Sequence, residues 1–128
     1  ASYRSFERRV LPELVKRGIA PLGMKSLGGD AQPVLHGVVS AEEAIRYAMS
    51  LPVAVTITGV DSLDVLRQNL GIARGFRPMP PAGMDALRKR CAPAAGDGHL
   101  ELYKSTMKYD ADIGREQHGF PPMDKLPL

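Results

Sequence analysis

The sequence has no tryptophan, one cysteine and only 5% aromatic residues among its 128 positions. Cys91 stands alone, so no intramolecular disulfide can form, and this cysteine usage fits a reducing compartment best. We therefore expect a cytoplasmic protein. Zinc sites need recurring Cys and His residues at close spacing, and His36, His99 and His118 share no such spacing with Cys91. We expect no metal site.

Neither a strong charge nor a long apolar run is present. The net charge is +3, and residues 1–17 account for all of that excess. A nucleic-acid surface needs more cations, interleaved with aromatic residues, so we read this basic segment as a solvated helix face. The apolar stretches are too short to cross a bilayer, and the N-terminus lacks the apolar core of a signal peptide. We predict no nucleic acid and no membrane as partners.

The chain begins with a helical pattern. Phe6, Val10 and Leu14 recur at intervals of four residues, and Gly18 ends the pattern. Pro12 lies inside it, where it removes a backbone amide and crowds the preceding turn. We therefore expect a kink or two short helices that meet there.

Two apolar segments predict strands. Residues 19–25, IAPLGMK, have the length and apolarity of one strand, and residues 52–59, PVAVTITG, form a β-branched run. Such a run is typical of a strand that is buried on both faces, as in parallel sheets under helices. Between the two strands, Ser40 and Glu43 have the spacing of a capping box, which predicts a helix from 41 to about 50.

The second predicted strand is followed by two helices. Asp61 is expected to cap a helix over 61–73, and Pro81 to begin a helix over 81–91. Beyond Cys91 the periodicity stops. The order of helices and strands implies parallel strands joined by a helical crossover. Two strands with open edges make a poor independent sheet, so we expect the sequence to be part of something larger.

Three segments carry a resemblance to a known family. They are FERRVLPELVKRGIAPLGMKSLGG, SAEEAIRYAMSLPVAVTITGVDSLDVLRQNLGIA and ELYKSTMKYD, and the last is followed by REQHGFP. Together they resemble the C-terminal part of a bacterial aldo/keto reductase, a family that folds as an eight-stranded (β/α) barrel and uses a nicotinamide cofactor, usually NADPH. A full barrel needs about 250 residues, so this chain is short by roughly half.

The resemblance implies a fold and a division of the chain. The fold class is α/β: a helix-rich, partial (β/α) barrel of about two parallel strands with helical crossovers and an irregular C-terminal tail. Residues 1–92 are then the C-terminal portion of the barrel, and residues 93–128 are the tail.

In the family, carbonyl reduction depends on an Asp, a Tyr, a Lys and a His that earlier strands supply. None of those positions is in this chain, so we assign no catalytic residue and expect the chain to be inactive alone. Tyr47 lies in a predicted helix and is expected in the core. Tyr103 and His118 lie in the aperiodic tail, and no spacing connects them to the family's tetrad.

The resemblance also implies two segments that hold NADP(H). Residues 25–29 would approach the pyrophosphate and nicotinamide, where glycine lets backbone amides come close. The turn after the second strand and the following helix would contact the adenosine end. Met24 stands where the family often has a stacking aromatic residue, and Val65 where members that prefer NADPH often have arginine. The implied cofactor-binding residues are Lys25, Ser26, Leu27, Gly28, Gly29, Thr58, Gly59, Asp61, Gln68 and Asn69.

Each of these features also has a purely structural interpretation. A glycine pair after a strand is most often a turn, Lys25 alone is a surface lysine by default, and Asp61 with Ser62 is most simply a helix cap. Two hypotheses therefore stand. The chain is the C-terminal part of an aldo/keto reductase-like oxidoreductase and binds NADP(H) weakly or not at all. Alternatively, it is a non-catalytic protein derived from such an enzyme. Both predict a homo-oligomer or a partner chain over the open barrel face.

Overall fold

The computed structural model describes residues 5–101, 112–117, 119, 121–122 and 125. This part of the chain is a helix-rich α/β structure, as expected. Its strands are β1 (Leu22–Gly23) and β2 (Val55–Thr56), and its helices are α1 (Phe6–Arg9), α2 (Leu11–Lys16), α3 (Gln32–Leu35), α4 (Ala41–Met49), α5 (Leu63–Arg74), α6 (Pro81–Ala95) and α7 (Asp112–Gln117).

The first helical pattern forms two short helices that meet at Val10, as predicted from Pro12. Ser5 caps α1, because its hydroxyl accepts a hydrogen bond from the Arg8 amide at 3.3 Å. Pro12 lies in the first turn of α2, where a helix does not need the amide that proline lacks. The position of this proline therefore fixes where one helix ends and the next begins.

Helix α4 begins with the predicted capping box. The Ser40 hydroxyl accepts from the Glu43 amide at 3.1 Å, and the Glu43 carboxylate accepts from the Ser40 amide at 3.0 Å. The other carboxylate oxygen of Glu43 pairs with Arg90 of α6 at 2.7 Å. The hydrogen bond from Arg90 and that from the Ser40 amide lower the pKa of Glu43. One carboxylate thus caps α4 and ties it to α6.

The two strands are parallel, with Leu22 opposite Val55 and Gly23 opposite Thr56. Helices α3 and α4 lie between them in the chain, so the predicted helical crossover is confirmed. The strands are much shorter than the sequence predicted. Pro21 precedes β1 and cannot donate to a sheet, although its carbonyl accepts from the Ala54 amide at 2.8 Å.

The prediction that the second strand is buried on both faces is wrong. Val55 is 51% exposed and Ile57 is 46% exposed. Helices α4 and α5 border β2 along a groove that Val55, Thr56 and Thr58 all line, and the two threonines are half-buried. A parallel strand is buried on both faces only when layers cover both, and the described helices leave about half of the Val55 and Ile57 side chains exposed.

The core of the described residues is small and draws one apolar side chain from each of several elements. The last of these side chains, Leu100, lies after α6. Helix α6 continues to Ala95, although the sequence pattern predicted that it ends at Cys91. The segment directly after α6 is therefore packed against the rest of the chain. The buried apolar residues are Leu11, Ile45, Ile72, Leu87 and Leu100.

Candidate functional site

The parallel pairing brings the two predicted cofactor segments to one edge of the sheet. The Ile57 amide, one residue after β2 ends, donates to the Gly23 carbonyl at the end of β1 at 2.7 Å. The carboxyl ends of parallel strands lie at the same edge, which is where open α/β sheets bind ligands. Lys25 and Thr58 closely follow β1 and β2, so both are candidates for a site at this edge.

Residues 25–29 form a hydrogen-bonded turn with an unusual backbone. The Gly28 amide donates to the Lys25 carbonyl at 2.9 Å. Lys25 has a φ of 59°, Gly28 of 82° and Gly29 of 93°, so three residues of the five are left-handed. The left-handed conformation costs a lysine roughly 1–2 kcal/mol. Non-glycine residues in this conformation are concentrated at ligand-binding turns and active sites.

Gly28 has a structural role in this turn. It is buried, and a Cβ atom there would lie 2.8 Å from the Pro33 ring and 3.3 Å from the Leu100 carbonyl oxygen. Its amide is already used by Lys25. Gly28 therefore fits the structural interpretation, whereas Gly29 is exposed and leaves room for the backbone to approach a ligand.

Ser26 gives this turn an unsatisfied polar atom. Its hydroxyl oxygen is buried, and no hydrogen-bond partner for it is found in the part of the chain that the structure describes. Leaving a buried hydroxyl unpaired costs about 1–3 kcal/mol. Lys25 is exposed beside it, and Leu27 is half-buried. A hydroxyl, a cation and an exposed glycine fit a phosphate-bearing ligand.

The second predicted segment is held to α5 by Asn69. The amide nitrogen of this side chain donates to the Gly59 carbonyl at 3.2 Å. Its oxygen is buried, and no described residue donates to it. Thr58 and Asn69 line an open, mostly apolar groove of about 340 Å³ between α4, β2 and α5. Gln68 is exposed. Asn69 thus orders the turn and leaves one acceptor for a ligand.

The cap of α5 is Ser62, so the prediction of Asp61 as cap is wrong. The Ser62 backbone is extended, and its hydroxyl accepts from the Val65 amide at 3.2 Å. Asp61 is exposed and lies one residue earlier. A serine at the cap position needs only one hydrogen bond to an amide of the first turn, which leaves the neighbouring aspartate without that role.

A polar cluster that sequence reasoning missed joins three helices. The Tyr47 hydroxyl of α4 donates to the Glu7 carboxylate of α1 at 2.7 Å. Arg88 of α6 donates to the same carboxylate oxygen at 3.1 Å and to the Tyr47 oxygen at 2.7 Å, and it also pairs with Asp85. Tyr47 is therefore half-buried in a polar cluster and does not lie in the apolar core. The hydrogen-bond partners of Tyr47 are distant in the sequence, so no periodic pattern predicts them.

Burial, and then the hydrogen bond to Glu7, raise the pKa of Tyr47 from 10.0 to about 12. The folded state therefore holds this proton more tightly than the unfolded chain. Stability from this group is fully present below pH 10 and is lost as the pH rises toward about 12.

We expect Tyr47→Phe to remove this part of the alkaline pH dependence of unfolding. The difference in phenolate absorbance between the wild type and Tyr47→Phe should titrate with a midpoint near 12. Urea unfolding at several alkaline pH values provides the stability measurement. A difference spectrum with the midpoint of an ordinary tyrosine would contradict the prediction.

The described residues contain neither a cluster of metal ligands nor a helix able to span a membrane. No group of three His, Cys, Asp or Glu side chains there could hold a metal ion. No helix in the same residues has both the length and the apolarity to cross a bilayer. Tyr103 and His118, which the sequence placed in the tail, lie outside the described residues.

Comparison with family models, with curated proteins and with solved structures gives no match for this chain.

Proposed function

We propose that this chain is the C-terminal part of an aldo/keto reductase-like oxidoreductase, and that its sheet edge contributes to binding NADP(H). The observation that carries the proposal is the parallel pairing of β1 and β2, with a helical crossover between them. This pairing puts at one edge the two segments that the resemblance assigns to the cofactor. A cytoplasmic location is part of the proposal and rests on the lone Cys91.

Each residue at this edge would contribute a different contact to the ligand. Lys25 supplies a cation for a phosphate group, Ser26 a hydroxyl, and Gly29 a backbone without a side chain. Across the edge, the buried oxygen of Asn69 offers an acceptor to an amino group such as that of adenine. The bound nicotinamide would supply the hydride chemistry. This chain supplies no acid or base to carbonyl reduction, so other strands must provide the proton donor.

Fluorescence titration with NADPH and NADH tests the proposal. We expect weak but saturable binding, and about tenfold weaker binding for Lys25→Ala, which corresponds to about 1.4 kcal/mol. Lys16→Ala is the matched control, because Lys16 is an exposed lysine on α2 and should leave the affinity unchanged.

Two outcomes would contradict the proposal. The first is the absence of binding at millimolar NADPH. The second is an equal loss of affinity in Lys25→Ala and Lys16→Ala, which would indicate non-specific attraction of the phosphates. We expect no aldehyde reduction by the chain alone, and turnover with NADPH would contradict the assignment of the catalytic groups to other strands.

A second candidate function is supported by a different observation. The apolar residues Leu22 of β1 and Val55 of β2 are exposed, and Gly28 is closed off by Pro33 and Leu100 instead of facing solvent. Both features favour a non-catalytic protein that uses the inherited fold to self-associate or to bind a partner chain.

A further inference from the structure

A second groove lies between α1, α2 and the segment that follows α4. It has a volume of about 470 Å³, and most of the residues that line it are apolar. Leu11 is buried there, whereas Val15 is 50% exposed and both Pro12 and Pro52 are exposed. The groove therefore presents apolar surface to solvent. Its remaining lining residues are Glu7, Lys16 and Leu51.

The helices beside this groove carry cations that lack counter-charges. Residues 5–17 contain four cations and two carboxylates. The carboxylate of Glu7 pairs with Arg88 at 3.1 Å, and that of Glu13 pairs with Arg17 at 3.5 Å. Within the residues that the structure describes, no carboxylate pairs with the other three cations, and all three are exposed. They are Arg8, Arg9 and Lys16.

These three cations follow the groove along the helices. Residues three and four apart are neighbours on a helix, and Val10 keeps right-handed helical angles where α1 meets α2. Arg8 and Arg9 therefore lie one turn before Pro12, and Lys16 lies one turn after it. The cations are solvated, as the sequence predicted, but they border an apolar groove that the sequence pattern did not show.

We propose that this groove binds an acidic peptide segment of a partner protein, with apolar side chains of the peptide in the groove and its carboxylates at the three cations. The apolar side chains would release water from Val15 and the two prolines. The carboxylates would supply the counter-charges that the described residues lack. This inference is independent of NADP(H) binding and of self-association.

The chemistry of the groove favours a peptide over two other anionic partners. A nucleic acid has no apolar side chain to place in the groove, and none of the described residues that line it is an aromatic on which a base could stack. A lipid surface binds a helix whose apolar face projects outward, whereas the outward cations here flank a groove. A peptide alone combines apolar side chains with carboxylates at a short spacing.

Fluorescence anisotropy of the full chain with a short labelled peptide of alternating leucine and aspartate tests the proposal. We expect saturable binding that weakens as salt is added, because the cations are exposed. Lys16→Glu should weaken the binding about tenfold, since it replaces an attraction with a repulsion. Arg74→Glu is the matched control. Arg74 is also an exposed cation in the last turn of its helix, but it lies on α5, and its replacement should leave the affinity unchanged.

A second pair of variants tests the apolar part of the groove. Val15→Asp should weaken the binding about tenfold or more, because it places a carboxylate in the apolar lining. Val60→Asp is the control, since Val60 is 52% exposed, close to the 50% of Val15, and does not line this groove. Circular dichroism verifies the fold of each variant. A peptide with serine in place of leucine tests the same point without any substitution in the chain, and it should bind more weakly.

The outcomes that would overturn the proposal are distinct. Equal losses in Lys16→Glu and Arg74→Glu, or equal binding of the leucine and serine peptides, would show non-specific attraction of charge. Vesicles that contain phosphatidylserine and a DNA duplex are tested in the same way. If either binds in a manner that Lys16→Glu weakens, while the peptide does not bind, the groove serves a lipid surface or a nucleic acid. The NADPH titration is judged separately, because Lys16→Ala should leave it unchanged.

Discussion

Replacing Gly28 with alanine is expected to lower the free energy of unfolding by about 2–4 kcal/mol, from the left-handed backbone and the steric clash together. The new Cβ atom would lie 2.8 Å from the Pro33 Cδ and 3.3 Å from the Leu100 carbonyl oxygen. Neither neighbour is the end of a flexible side chain, so the turn or the segment after α6 must move. Urea unfolding followed by circular dichroism gives the measurement.

Gly18→Ala is the control that separates the two causes. Gly18 has a φ of +66°, and a Cβ atom built there meets no other atom within 4 Å. Alanine at this position therefore lowers the free energy of unfolding only through the left-handed backbone conformation, by about 1–2 kcal/mol. The excess loss in Gly28→Ala measures the close packing of the turn against Pro33 and Leu100. Equal losses in the two variants would show that this packing contributes nothing to stability.

Local rules predicted the parts of the fold that depend on nearby residues. The capping box of Ser40 and Glu43 and the helix break beside Pro12 were correct because both arise within one or two turns of backbone. The parallel pairing followed from the order of helices and strands. The prediction that residues 25 and 58 lie near one sheet edge follows from that same topology.

Features that depend on tertiary packing could not be predicted from the sequence pattern. The β-branched run at 52–59 predicted burial on both faces, but burial depends on the layers around a strand, and Val55 is half exposed. The closure of Gly28 depends on where Leu100 comes to lie, after α6 has ended. The aspartate and serine before α5 are both good caps, and the backbone angles of Ser62 decide between them.

The cluster of Glu7, Tyr47 and Arg88 shows why long-range polar contacts escape sequence analysis. The three residues lie on three helices, separated by about forty positions at each step. Only the Asp85 and Arg88 pair, three residues apart on α6, is visible as a local signal. The pair with Glu7 becomes recognisable only when α1 and α6 are packed together.

Replacing Arg88 with methionine is expected to lower the free energy of unfolding by about 2–3 kcal/mol, because it removes hydrogen bonds to charged partners, one of which, Glu7, is part-buried. The side chains of Arg88 and Glu7 are only 27% and 24% exposed. Without the guanidinium, the Glu7 carboxylate keeps only the Tyr47 hydroxyl as a partner within the cluster. Methionine retains much of the apolar stem, so the loss reports on the polar contacts.

Arg67→Met is the matched control for this prediction. Arg67 pairs with Asp64 three residues earlier on α5, as Arg88 pairs with Asp85 on α6, but its side chain is 73% exposed and that of Asp64 is 92% exposed. Exposed pairs contribute about 0–1 kcal/mol, so this variant should be nearly as stable as the wild type. A double-mutant cycle of Arg88→Met with Glu7→Gln should give a coupling of about 1–3 kcal/mol. If Arg88→Met were no more harmful than Arg67→Met, the link between α1, α4 and α6 would contribute no more to stability than an exposed ion pair.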